Sequence, residues 1–157
     1  VEVGPAAATN QLGPDPYHAT SIWGLLNPSS GAGEVRGYMN RTANYSSGMK
    51  IIELTGIKQS GSIATTASGS ASSQTSQSQA IATTAGQIVI DTISLSEIAA
   101  TNGAVGASQT QVGAFTSGGK GGSYETASGT STTMSWSWDN SSNVLFAIAA
   151  IISDVYS

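Results

Sequence analysis

Residues 132–138 read TTMSWSW and residues 144–152 read VLFAIAAII. The first stretch alternates: Met134, Trp136 and Trp138 fall on one face of an extended chain, Ser135 and Ser137 on the other. The second is apolar on both faces, as a central strand covered on both sides requires. Residues 145–150 contain good helix formers. The shortness of the run, and the polar Ser153 and Asp154 that follow it, favour a strand. Between the two stretches, Asp139-Asn140-Ser141-Ser142 reads as a turn.

Two further stretches read as strands. Residues 87–95 (QIVIDTISL) set Ile88, Ile90, Thr92 and Ser94 against Val89, Asp91, Ile93 and Leu95. Residues 50–57 (KIIELTGI) are rich in β-branched side chains, which suit a pleated surface. Weaker strand candidates are 19–26, 34–41, 79–84, 109–116 and 122–126. Turn chemistry separates them at 27–31 (NPSSG), 46–48 (SSG), Ala85-Gly86 and Asn102-Gly103. Residues 60–78, almost wholly Ser, Thr, Gly, Ala and Gln, read as a flexible or sugar-decorated loop. Residues 117–123 (SGGKGGS) read as a glycine-rich bend. No internal repeat is evident. The expected fold is therefore an all-β, antiparallel β-sandwich over residues 21–157, preceded by an extended segment at 1–20.

Composition narrows the function classes. Charged residues make up 9% of the 157 residues, against roughly a quarter in an ordinary soluble domain. With a hydrophobic fraction of 39% and a net charge of −4, charge-driven disorder is not expected. A surface of hydroxyls and amides has little charge repulsion between copies and tolerates close packing of identical subunits. The five basic residues are scattered singly, so nucleic acid is not an expected partner. The longest apolar run is about half of what a membrane-spanning helix needs, so no membrane insertion is expected. The chain opens on Val1 with no signal peptide and reads as a processed form. The absence of cysteine leaves the redox compartment open.

Parts for catalysis are scarce, and the chain reads as a non-enzyme without a cofactor or metal. A Ser-His-Asp triad would have to use His18, the single histidine, which lies in the turn-like Pro14-Asp15-Pro16-Tyr17-His18. Asp15 with His18 offers two metal ligands and no third that spacing identifies. Glu53, Asp91, Glu97 and Asp139 read as solvent-facing strand or turn residues rather than paired carboxylates for glycoside hydrolysis. Gly118-Gly119-Lys120-Gly121 lacks the glycine spacing and the Ser/Thr of a phosphate loop. Trp136 and Trp138 invite a sugar-stacking reading. The serines opposite them favour a core stripe instead, and Trp23 reads as core too. Three N-glycosylation acceptors stand at Asn40, Asn44 and Asn140, each at an expected strand end or turn. A chain this rich in Ser and Thr produces such triplets by chance, so their position says more than their number.

Taken in order, the segments 22–31 (IWGLLNPSSG), 49–57 ending in LTGI, 82–84 (ATT), 88–95, 117–124, 133–138 (TMSWSW) and 144–152 resemble a known family. This is the group of jelly-roll β-sandwich domains in bacterial and archaeal secreted surface proteins and phage structural proteins. The likeness spans about residues 21–154. It implies a non-catalytic module on an extracellular, cell or virion surface, with no catalytic residues to carry over. Such domains usually place several strands before the Trp-containing one, whereas here only residues 1–20 precede Ser21, with Pro5, Pro14 and Pro16 among them. A sandwich short of N-terminal strands leaves an edge for a neighbour's tail to fill. The expectation is a homopolymer in which an N-terminal strand, starting at Val1, Glu2 and Val3 and reaching Leu12, pairs with the next subunit. The competing expectation is a carbohydrate- or receptor-binding module of a phage fibre, virion or secreted protein.

Overall fold

The computed structural model describes residues 8–11, 19–25, 35–36, 48–96, 102–115 and 119–154. Eight strands run in the order β1 (Ala8–Gln11), β2 (Ala19–Ile22), β3 (Ile63–Ala82), β4 (Ile88–Leu95), β5 (Ala104–Val105), β6 (Thr110–Gln111), β7 (Lys120–Thr126) and β8 (Ser131–Ile151). Every pairing between them is antiparallel, and the described residues contain no α-helix.

The architecture is organised by one long ribbon. β3 and β8 pair from Ile63↔Ile151 to Ala82↔Ser131, and the register shifts between Ala71 and Ser76. There Ser73 adopts a left-handed backbone, with φ 55°, and its amide donates to Asn143 Oδ1 at 3.1 Å. The shift lets the ribbon change direction, which is the usual consequence of a bulge. The second half of β8 pairs with β4 on its other side, and β4 continues to β7 and β6. The first half of β8 pairs instead with β5.

The two halves of the ribbon face each other across the core. Met134 and Ile81 pack against Val89, Phe146 and Ile148. Trp136 and Trp138 pack against Ile93, Leu95 and Val144. Gly69 lies under the Phe146 ring, where an added Cβ would come within 2.4 Å of its tip. On the opposite face of the larger layer sits a separate two-stranded sheet, β1–β2. Its Ile22 covers Ala147, Ala149 and Ile90, and Thr20 Oγ1 donates to Thr92 Oγ1 at 3.1 Å. This cover is why the second half of β8 is buried on both faces.

An all-β, antiparallel sandwich is thus the fold, and several of its elements differ from those expected. The supposed loop 60–78 is most of β3, because β8 supplies a ladder that its small polar side chains do not by themselves predict. The expected strand 50–57 forms no ladder; Ile57 alone makes an isolated bridge, to Ser153. The turn at 139–142 lies inside the 21-residue β8, opposite the register shift. The bend at 117–123 is in large part β7. The turn at Ala85-Gly86 is present, with Gly86 at φ 89°.

Candidate functional site

Two features stand out, one on the surface and one inside. The surface feature is the outer edge of β3. One side of β3 is bonded to β8, and among the described residues no strand pairs with its other side. Its sequence, IATTASGSASSQTSQSQAIA, carries no charge and no proline over twenty residues. Native sheet edges are usually shielded by such residues, or by being short. β3 has neither protection. On the β8-bonded side of β3, a shallow trough of about 480 Å³ lies across β8 towards β5, lined by Ser76, Ser78, Ser135 and Ser137 together with β5 and Gly106.

The interior feature is built around Asp91. Alternation along β4 sends Asp91 inward with Val89, Ile93 and Leu95, and it is 6% exposed. Its Oδ1 accepts from the Ser123 amide and the Ser123 hydroxyl, both at 2.8 Å. Its Oδ2 accepts from Trp136 Nε1–H at 2.8 Å and lies 3.5 Å from Gln109 Nε2. Burial pushes the carboxyl up to about 6, against the Ser123 and Trp136 hydrogen bonds that hold it down, with the Glu125 charge adding slightly to the rise.

Gln109 sits where the chain crosses from the smaller layer to the larger, between β5 and β6. Its Nε2 donates to Ser123 Oγ at 2.7 Å. Its Oε1 accepts from the Ser135 amide at 2.7 Å, the Gly106 amide at 3.2 Å and the Ser135 hydroxyl at 3.3 Å. No buried side-chain nitrogen or oxygen among the described residues lacks a partner. Beside Ser123, Gly121 gives the Trp136 ring its space: a Cβ there would come within 2.5 Å of it.

The expected site residues are distributed as follows. Trp136 and Trp138 are each 5% exposed and donate to Asp91 and to the Gln74 carbonyl, so neither offers a ring face for sugar stacking. Trp23, read as core, is 56% exposed, because β2 ends at Ile22 and the chain beyond it leaves the sheet. Asp91, read as solvent-facing, is buried for the reason just given. Asp139 is exposed and accepts from Asn102. Asn140 is exposed on β8, in the middle of a strand rather than at a turn. Val1, Glu2, Val3, Asp15, His18, Asn40, Asn44 and Glu97 lie outside the described residues. Ala8–Gln11, part of the expected donor segment, pairs with β2 of its own chain.

Sequence reasoning missed Gln109, Ser123 and Ser135. The signal for Asp91 was its shared face with three aliphatic residues; nothing local marks Gln109. Among the described residues, no three of His, Cys, Asp and Glu are close enough to hold a metal ion. In comparisons with known proteins, no family model, no curated protein and no solved structure matches the chain.

Proposed function

We propose that the chain is a non-enzymatic structural subunit of an extracellular filament or surface assembly, polymerising by β-strand addition. The observation that carries this reading is the twenty-residue β3, uncharged and free of proline, whose outer side is paired with no strand among the described residues. An added strand gains backbone hydrogen bonds along such an edge without meeting a charge or a proline. The occupant is the N-terminal segment 1–12 of a neighbouring copy. In the isolated chain Ala8–Gln11 folds back on β2, a four-residue pairing that assembly would exchange for a longer one. A head-to-tail contact that does not close into a ring propagates as a fibre. The scarcity of charge permits close approach of subunits.

The test is removal of residues 1–12, with assembly followed by negative-stain microscopy and folding by circular dichroism. The truncated chain should remain a β-domain and form no filaments. Filaments from the truncated chain would overturn the donor-strand reading.

A second reading, a carbohydrate- or receptor-binding module of a phage fibre or secreted protein, is favoured by Trp23. Its indole is exposed yet held by a 2.8 Å hydrogen bond from Nε1–H to Ser21 Oγ. A glycan array separates the readings: binding that Trp23→Ala abolishes supports the module.

A further inference from the structure

We propose that the chain cross-links itself covalently, by an ester between the Ser123 hydroxyl and the side-chain carbonyl carbon of Gln109, formed with release of ammonia.

The parts of an acyl transfer are assembled around these two side chains. The nucleophile is Ser123 Oγ, whose proton points at Asp91 Oδ1 2.8 Å away. A carboxylate in that position is a general base in hydrogen-bond reach of the proton it takes. The electrophile is the Gln109 amide, whose nitrogen already touches the same Oγ at 2.7 Å. Its carbonyl oxygen lies among three donors, the Ser135 and Gly106 amides and the Ser135 hydroxyl. Two backbone N–H groups converging on one carbonyl oxygen form an oxyanion hole, because they stabilise the charge that develops when the carbon becomes tetrahedral. The leaving group is served as well: Asp91 Oδ2 lies 3.5 Å from Gln109 Nε2. One carboxyl therefore reaches both ends of the reaction.

The step balances within the chain. Ser123 Oγ bonds to Gln109 Cδ as its proton passes to Asp91. The tetrahedral centre then collapses with cleavage of Cδ–Nε2, and Asp91 returns the proton to the departing nitrogen, which leaves as NH₃. Nothing is oxidised or reduced, and no co-reactant is consumed. Gly106 and Ser135, whose amides hold Gln109 Oε1, also line the surface trough, so the released ammonia forms one residue away from it. Ser123 is completely buried and Gln109 nearly so, which shields the acyl centre from water and protects the ester once made. A carboxyl held up near 6 is ionised at neutral pH yet basic enough to take the proton.

The location has a mechanical logic. β6 is two residues long and pairs with β7 through Thr110↔Tyr124 and Gln111↔Ser123, with the Val112 amide just beyond it donating to the Gly122 carbonyl at 2.8 Å. A bond from Gln109 to Ser123 would lock this two-residue edge strand and the corner through which the chain passes from one layer to the other. The reaction runs once per chain and needs no outside substrate. It is independent of whether subunits polymerise.

Intact-mass measurement of the full chain, produced without glycosylation and held at neutral pH, decides the matter. The expected mass is below the sequence mass by about 17 Da, the ammonia lost. Ser123→Ala should keep its full mass, as should Asp91→Asn, which retains both reacting groups. Fragmentation should join the peptides that carry residues 109 and 123, and mild alkali should separate them. A wild-type mass equal to the sequence mass would overturn the proposal. So would a deficit that persists in Ser123→Ala, which would place the ammonia loss elsewhere in the chain.

Discussion

β3 and β8 are the two longest strands, they pair with each other along most of their length, and they are made of opposite materials. β8 carries Met134, Trp136 and Trp138 on one face in its first half, and in its second half it is buried on both faces from Val144 to Ile151. Apart from Ile63 and the buried Ile81, β3 is Ser, Thr, Ala, Gln and Gly, and most of its side chains are exposed or half-buried. Both are strands for different reasons. β8 is held by its apolar faces, one against the interior and one beneath β1–β2. β3 is held by backbone hydrogen bonds to β8, which any residue with an N–H and a C=O can make. A central strand needs the right side chains, whereas an edge strand needs a partner.

This difference can be broken at β8 first. Ile148→Ala removes a fully buried side chain that packs among Val89, Met134 and Phe146, and should cost about 2–5 kcal/mol of unfolding free energy in a denaturant titration. A cost below about 1 kcal/mol would mean that the core between the ribbon halves is loosely packed.

A middle-sized effect is expected at Asp91, which Trp136 of β8 caps. Asp91→Asn turns an amide N–H₂ toward groups that are all donors, and should cost about 1–3 kcal/mol. The wild-type carboxyl also makes stability depend on pH. Its folded value, about 6, lies above the ordinary aspartate value of 3.8, so the native state holds the proton more tightly than the unfolded chain. Stability from this group is therefore full below about 4 and is lost as pH rises through about 6, by at most about 3 kcal/mol. Thermal unfolding across that window should show the fall in the wild type and a smaller one in Asp91→Asn.

The smallest effect on stability is expected on β3. Ser68→Lys with Ser70→Lys places two charges on exposed positions of the edge strand and should change stability by less than about 0.5 kcal/mol. The same pair should abolish filament growth, because a charged edge resists strand addition. Light scattering with calorimetry on one sample would show the two properties separating.

The contrast also explains what the sequence made legible. Residues 132–138 and 144–152 announced themselves through alternation and through a continuous apolar run, which are the signatures of half-buried and fully buried strands. β4 did the same, and its alternation already put Asp91 on the face of Val89, Ile93 and Leu95. The reading went astray there by letting charge outweigh period. Thr65, Ala67, Gly69 and Ala71 do alternate in burial with Thr66, Ser68 and Ser70. Their side chains are too small and too alike for that period to show in the residue types. Residues 50–57 erred in the other direction: β-branched side chains favour a strand only where a ladder is available, and Met49 and Ile51 remain exposed. The Gln109–Ser123–Asp91 cluster was not legible, because it is created by the corner between β5 and β6.

The pairing of Ala82 with Ser131 and of Ile63 with Ile151 also governs how the molecule can be made. A ribosome adds roughly 5–20 residues per second, so β3 emerges several seconds before any of β8 exists to receive it. Through that interval it is a long extended segment without a partner, the state most open to aggregation. An apolar β3 would be a hazard then. One built of hydroxyls and amides can wait in water, and its low apolar content is as much a property of the nascent chain as of the finished edge.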